Sequence, residues 1–457
     1  MITDMTTGKP AVVLWKFSFP MLVSSMFQQI YNIADSVIVG QICGDDGLAA
    51  IGASYSITML FVSFALGCNV GCSVIISQLF GAKKYGATKT AINTSYIAVL
   101  GLSVILTIIG CILCRPMLNL LKTPDNIFSE GAAYLDIYTY GIIFLFLYNI
   151  CTGIFTALGD SNTPLVFLIA SSLINIALDY LFVGSLGMGV SGAAWATFIS
   201  QGAAGAAAFF VLNRKVRTAV KTDEKVQHFS LPVFGKICYV AIPSILQNSF
   251  VSVGNLFVQV VVNGFGSAVI AGYSAAVKLN SFAVTSFGTM SNGLSNYTAQ
   301  NIGANRLGRI RRGYKAALIM ALGVSLPFLL VYTIKGGFMM SIFLKDESAN
   351  AIQAGVDFLT IVAPFYPVVA IKLMTDGVHR GACAMQWFMA STFLDLIIRV
   401  VLSFVFSGIW GSTGIWMSWP FGWIIAAVLI CTAYFFGAWI PKSLRRRYKH
   451  KKQAAEV

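Results

Sequence analysis

Two aspartates lie in apolar stretches of the chain where a carboxylate is costly, and they are the residues best able to do chemistry. Asp35 lies fifteen residues after Pro20, about 22 Å along a helix, and no Lys or Arg lies between Lys16 and Asp35. Asp179 follows Asn175 by four residues, so the amide and the carboxylate share one face of a helix. Carboxylates inside a membrane span face a cavity and mark a functional site by default.

These two acids lie in the same half of the chain, and none of the six apolar stretches of that half has a central Lys or Arg. Two carboxylates in a shared pocket of low dielectric constant attract a cation, either a proton or Na⁺. The alternatives are structural: Asp35 at the outer rim of the membrane with Asp45 and Asp46, and Asn175 with Asp179 joining two helices.

The other half of the chain places polar residues in its apolar stretches differently. Lys278, Lys372 and Asp376 form a possible second polar cluster. Lys372 and Asp376 are four residues apart, so mutual pairing is the simpler explanation for both. Asp395 and Arg399 have the same spacing, which predicts an internal ion pair.

The composition requires that these residues be placed in a membrane. The chain has 457 residues, of which 57% are hydrophobic and 11% charged, and its mean hydropathy is +0.77. A soluble protein of this size cannot bury so much apolar surface. The pattern predicts an all-α polytopic membrane protein with twelve transmembrane helices. The predicted spans are residues 13–40, 47–80, 88–115, 129–158, 163–184, 190–213, 236–263, 268–300, 313–335, 352–378, 386–408 and 412–440.

The basic residues behind the net charge of +14 are concentrated in the predicted loops, so they indicate the orientation of the chain in the membrane. We expect no nucleic-acid partner. With the N-terminus in the cytoplasm, most of the 31 Lys and Arg fall in cytoplasmic segments. This bias predicts a multi-pass protein of the plasma (inner) membrane with both termini cytoplasmic, in contact with membrane lipids.

The two halves of the sequence resemble each other at an offset of about 222 residues. Phe19-Pro20 corresponds to Ile242-Pro243, and Gly159 corresponds to Gly381. Six spans in each half predict two parallel six-helix lobes related by a pseudo-two-fold axis along the membrane normal. Pro20 and Pro243 are the predicted helix kinks. The predicted domains are an N-lobe at 1–213, a cytoplasmic linker at 214–235, a C-lobe at 236–441 and a basic cytoplasmic tail at 442–457.

Motifs along the whole chain resemble the multidrug and toxic compound extrusion (MATE) family, and the prokaryotic DinF-like type most closely. They are Pro20 and Asp35, the Q-x-x-G-A pattern at 78–82, Leu158 to Ser161, Asn175 with Asp179, and Gly192 to Ala194. In DinF-like members a first-span Asp, a fifth-span Asn and Asp and a sixth-span Thr form a cation site. The resemblance carries these roles to Asp35, Asn175, Asp179 and Thr197, and Thr197 rests on the resemblance alone.

The resemblance also implies that the first helix bends at Pro20 and that a fourth-span tyrosine, Tyr134 or Tyr138, belongs to the site. In the NorM-like branch a C-lobe cation site uses an acid in the seventh span. The resemblance also matches Asp376 to the tenth-span acid of that branch. Here the seventh span has no carboxylate, so Asp376 lacks its partner and coupling through the N-lobe is favoured.

The resulting expectation is a secondary antiporter that exports amphipathic or cationic organic compounds in exchange for H⁺ or Na⁺. The alternative is a flippase or exporter of a lipid-linked or polysaccharide precursor. Motifs of metalloproteases, serine hydrolases and P-loop ATPases are missing, so no enzymatic activity is expected. We expect no cofactor beyond the coupling ion, no metal other than Na⁺ at the four site residues, small organic substrates and a functional monomer.

Overall fold

The structure is a computed structural model, and it describes residues 2–120, 123–344, 349–441 and 444. Apart from Leu444, the predicted tail at 442–457 lies outside the described residues. The side chains of Asp45 and Asp46 lie outside them too. Throughout the described part of the chain the regular structure is helical, which confirms the predicted fold class.

Thirteen α-helices make up the described chain. In the first half they are α1 Pro10–Gly81, α2 Tyr85–Leu120, α3 Asp125–Ala157, α4 Asn162–Asp179 and α5 Gly189–Ala219. In the second half they are α6 Leu231–Asn263, α7 Ser267–Gly303, α8 Leu307–Ile334, α9 Gly336–Ser341, α10 Ala349–Val362, α11 Tyr366–Gly381, α12 Met385–Trp410 and α13 Ser412–Phe435. The helix α1 contains two predicted spans, because Gly44 breaks it with a φ of 70° and a ψ of −168°.

Eleven helical segments of the described chain are long and apolar enough to cross a membrane. Each coincides with one of the twelve predicted spans. The remaining predicted span, 268–300, is α7, which has 37 residues but is less apolar than the others. Its second half is buried on all sides from Gly293 to Ile302 and is rich in Ser, Asn, Thr and Gln. The predicted number of spans therefore agrees with the helices of the structure.

The chain divides into two compact units. Unit 1 comprises the residues up to Asp4 together with Phe19–Ile245, and unit 2 comprises Met5–Ser18 with the residues from Leu246 onward. These units differ from the lobes predicted at 1–213 and 236–441. The first part of α1 packs within unit 2 and the first part of α6 packs within unit 1, so the chain changes units inside two helices, near Pro20 and Pro243.

Within unit 1, the predicted linker at 214–235 is mostly ordered on α2. Its first six residues extend α5 to Ala219, and α6 begins at Leu231. The Glu224 carboxylate accepts a hydrogen bond from the Gly86 N–H at the start of α2, at 3.1 Å. The N–H groups of Gln227 and Ser230 donate to Thr90 Oγ1 and Thr94 Oγ1, each at 3.1 Å. The connection is therefore anchored along one helix rather than free.

Within unit 2, four residues that precede α1 are held by side chains around the start of α8. We call this stretch, Met5–Gly8, the N-terminal segment. The Met5 N–H donates to Gln300 Oε1 at 2.9 Å, and the Met5 side chain is completely buried. Arg306 donates to the Thr6 carbonyl at 2.6 Å. Arg309 donates to the carbonyls of Gly8, Thr7 and Met5 at 2.6, 2.8 and 3.3 Å.

Candidate functional site

The site begins at the end of α4, where Asn175 and Asp179 lie on one face. Both side chains are buried, at 1% and 0% exposure. Immediately after Asp179 the helix widens into a π-helical turn, Tyr180–Ser185. Such turns inside α-helices occur frequently at functional sites. The predicted spacing of four residues has therefore brought an amide and a carboxylate to the same buried place.

Asn175 joins three helices of unit 1. The Tyr31 hydroxyl on α1 is hydrogen-bonded to the Asn175 amide, and Thr197 Oγ1 on α5 lies 3.5 Å from Asn175 Nδ2. The hydrogen-bonding groups around Asn175 are satisfied best in one orientation of its amide. In this orientation the amide nitrogen donates to Asp179 Oδ2 at 3.0 Å, and the amide oxygen accepts from the Thr197 N–H at 3.2 Å. In that orientation Asn175 holds both Asp179 and the backbone of α5 in place.

Asp35 completes the acid pair from α1. Its side chain is partly buried, and its carboxyl group comes within hydrogen-bonding range of Asp179. The second oxygen of Asp179, Oδ1, is buried without a hydrogen-bond partner among the described residues. No Lys or Arg of the described chain forms an ion pair with either acid. Two carboxylates this close repel each other unless a proton or another cation lies between them.

The two candidate tyrosines of α3, Tyr134 and Tyr138, have different surroundings. Their rings stack with centroids 6.1 Å apart. Tyr134 lies within electrostatic range of Asp35 and Asp179. Tyr138 instead lines a small cavity together with Thr197. Both tyrosines are therefore beside the predicted site, and Tyr134 is the one next to the acids.

The sequence pattern did not single out Tyr31, although Tyr31 contacts Asn175 directly. Tyr31 precedes Asp35 by four residues on α1, the same spacing that links Asn175 to Asp179. Applying this spacing to Asp35 would have identified it. The four residues that the resemblance assigned, together with Tyr31, converge in unit 1.

The predicted kink prolines both lie inside continuous helices. Pro20 is in α1 and Pro243 is in α6. Within α1 the non-helical backbone angles occur at Gly44, and the chain remains helical through Pro20. Bending at these prolines stays a prediction.

In unit 2, Lys372 lies between two acids. Its Nζ is 3.3 Å from Asp376 Oδ2 and 3.6 Å from Asp395 Oδ2, and all three side chains are buried. The pairing predicted for Lys372 with Asp376 is thus present. Lys278, the third member of the predicted cluster, is exposed and makes no ion pair with another described residue.

The ion pair predicted between Asp395 and Arg399 is wrong. Asp395 pairs with Lys372 from a different helix, because the ammonium group reaches it across the α11–α12 contact. The Arg399 guanidinium lies 4.5 Å from the centre of the Trp419 ring and 3.5 Å from Asn255 Oδ1. A helical spacing of four residues allows a pair but does not select it over a partner from a neighbouring helix.

Comparison with known proteins agrees with this architecture. The model of the MatE family matches residues 20–181 and again residues 243–405, two stretches of nearly equal length. A protein named probable multidrug resistance protein YpnP, from Bacillus subtilis, is 28% identical over 443 residues, covering 95% of this chain and 97% of the relative. The multidrug export protein MepA of Staphylococcus aureus is 23% identical, covering 88% of each chain.

A solved structure described as an outward-facing conformation of a multidrug resistance MATE family transporter of the MOP superfamily has the same fold. Its TM-score is 0.90 at 22% identity, and the alignment covers 96% of this chain and 98% of the other. At this identity the likeness concerns the fold, while the family match concerns the sequence itself.

Proposed function

This chain belongs to the MatE family of transporters, and we propose that it is a secondary antiporter that exports amphipathic, often cationic, organic compounds in exchange for H⁺ or Na⁺. The names of the relatives support multidrug export. The proposal places the protein in the plasma membrane, crossing it several times, with both termini in the cytoplasm and a monomer as the working unit. The coupling ion binds at Asp35, Asn175, Asp179 and Thr197.

The observation that carries the proposal is the unpaired acid pair of unit 1. Asp179 is buried, its Oδ1 lacks a hydrogen-bond partner among the described residues, and it faces Asp35. In the buried cluster of unit 2, by contrast, Lys372 supplies a positive charge to its acids. A carboxylate pair without a protein cation needs a mobile cation, which a membrane ion gradient supplies.

The carboxylate, amide and hydroxyl oxygens at this place suit either ion. Two carboxylates bind a proton between them, and the same oxygens with Thr197 Oγ1 are ligands that Na⁺ accepts. Binding of the ion neutralises the acid pair and lowers the affinity for a cationic substrate. Transport requires that this change in affinity differ between the two access states of the protein.

The test is the efflux of a fluorescent cation from proteoliposomes, with a pH gradient and a Na⁺ gradient imposed separately. We expect one gradient to drive efflux by the wild-type protein, and Asp35→Asn and Asp179→Asn to abolish the driven component. Asp357→Asn is the matched control, because among the described residues Asp357 pairs only with Gln353, one turn away on α10, at 2.7 Å.

Equal driven efflux by the wild type and by both acid variants would refute coupling through unit 1. If folded wild-type protein moves no dye under either gradient, multidrug export is refuted, and export of a lipid-linked precursor becomes the function to assay.

A further inference from the structure

A small cavity lies between α3 and α5, next to Thr197. Its volume is about 10 Å³, close to the smallest that holds one water molecule. Its lining includes the apolar side chains of Leu145 and Phe198 and three polar side chains, those of Thr197, Tyr138 and Gln201. A buried water needs two to four polar partners.

Two of these three side chains lack a hydrogen-bond partner in the part of the chain that the structure describes. Neither the Tyr138 hydroxyl nor the Gln201 amide forms a hydrogen bond with another residue of the described chain. Both side chains are half-buried, and a polar group partly removed from water is stabilised by a hydrogen-bond partner. Gln201 follows Thr197 by four residues on α5, so both side chains point to the same side of the helix.

We propose that this cavity binds a structural water and that Gln201, acting through this water, is a positioning residue for Thr197. The water accepts the hydroxyl hydrogen of Thr197 and that of Tyr138, and it donates a hydrogen bond to Gln201 Oε1. The inference rests on the proposed function, because it concerns how the coupling site is held.

The water matters because a threonine hydroxyl is both a donor and an acceptor. Thr197 Oγ1 lies 3.5 Å from the side-chain amide of Asn175 and, in the proposed site, also faces the cation. The lone pairs of the Thr197 hydroxyl can face the cation only if the hydroxyl hydrogen points away from the cation. Thr197 lines the cavity, so a water bound there can accept that hydrogen. Partners behind a ligand orient it in this way at metal sites, where their loss lowers affinity about 10- to 100-fold.

The test substitutes Gln201→Met, which keeps the length of the side chain and removes its hydrogen bonds. We expect the ion concentration for half-maximal efflux to rise about tenfold. Dye binding to detergent-solubilised protein and efflux at saturating ion should change less than twofold. Gln259→Met is the matched control, because Gln259 lies on α6 and its one hydrogen-bond partner in the described part of the chain is Asn263. Tyr138→Phe should shift the same parameter in the same direction.

A double-variant cycle separates this role from simple packing. If Gln201 acts through the Thr197 hydroxyl, Gln201→Met has no further effect in a Thr197→Val background. Equal effects of Gln201→Met in both backgrounds would overturn the inference, as would an unchanged ion dependence. A crystal structure of the wild type should show one ordered water within hydrogen-bonding distance of Thr197, Tyr138 and Gln201.

Failure of the inference is distinguishable from failure of the proposed function. If coupling through unit 1 is wrong, the wild type and Asp35→Asn show the same ion dependence. If only the inference is wrong, Asp35→Asn abolishes driven efflux while Gln201→Met behaves like Gln259→Met.

Discussion

Removal of the Lys372 ammonium group should destabilise unit 2 strongly. The group lies 3.3 Å from Asp376 Oδ2 and 3.6 Å from Asp395 Oδ2, with all three side chains buried. At an effective dielectric constant of about 20, each pair attracts by about 5 kcal/mol, and the cost of desolvation offsets part of this. Breaking a buried pair by removing one partner costs about 3–5 kcal/mol, because it leaves a buried charge uncompensated. We expect Lys372→Met to lower the free energy of unfolding by that amount.

The assay is unfolding of purified protein by denaturing detergent, followed by far-UV circular dichroism. Lys278→Met is the control, because Lys278 is exposed and unpaired among the described residues, and it should lie within about 0.5 kcal/mol of the wild type. Adding Asp376→Asn to Lys372→Met should recover part of the loss, since it removes one of the two unpaired acids.

Two outcomes would refute this reasoning. One is that Lys372→Met unfolds at the same detergent concentration as Lys278→Met. The other is that Lys372→Met with Asp376→Asn is less stable than Lys372→Met alone, which would mean that the acid stabilises unit 2 without its ammonium partner.

Three further predictions concern other parts of the chain. Arg309→Ala should raise amide exchange in the N-terminal segment at least tenfold by mass spectrometry, because three carbonyl contacts are lost; unchanged exchange would contradict this. Burial alone would raise the pKa of Asp160, but hydrogen bonds from Lys215 and Thr163 hold this pKa below its usual value. The ionised carboxylate therefore stabilises the fold above about pH 4, and this stabilisation is lost as the pH falls further. Asp160→Asn should flatten that acid limb of a pH–unfolding curve. Gly422→Ala should cost about 1–3 kcal/mol in the same detergent assay, because the new Cβ would lie 2.6 Å from Asp395 Oδ1; wild-type stability would contradict it.

The spans and part of the site could be predicted because their signals are local. An apolar stretch long enough to cross a membrane is visible in the sequence, and so is the spacing that puts Asn175 and Asp179 on one face. The approach of Asp35 to Asp179 depends on how α1 packs against α4, which no local pattern contains. For the same reason the sequence predicted Arg399, and not Lys372, as the partner of Asp395. Tyr31 differs, because its spacing of four residues from Asp35 is a local signal.

Asp160 shows a related limit. It lies just before α4, where an acid is ordinarily solvated, and it accepts hydrogen bonds from the N–H and the hydroxyl of Thr163 at 3.2 and 2.9 Å. Asp160 is nevertheless only 1% exposed. Lys215, 55 residues later on α5, reaches it at 2.7 Å. A partner so distant in the chain can bury a carboxylate that would otherwise stay in water.

The two units compensate the negative charge of a pair of aspartates in different ways. Each brings together a pair of buried or half-buried aspartates from different helices, Asp35 with Asp179 in unit 1 and Asp376 with Asp395 in unit 2. In unit 2 the compensating cation is the ammonium of Lys372, which is tethered to α11 and cannot be exchanged. In unit 1 no Lys or Arg of the described chain pairs with the acids. On the proposed function, the two halves that arose by duplication therefore differ. Unit 2 has a built-in cation, whereas unit 1 binds an exchangeable cation supplied by the ion gradient, and only unit 1 can couple ion movement to export.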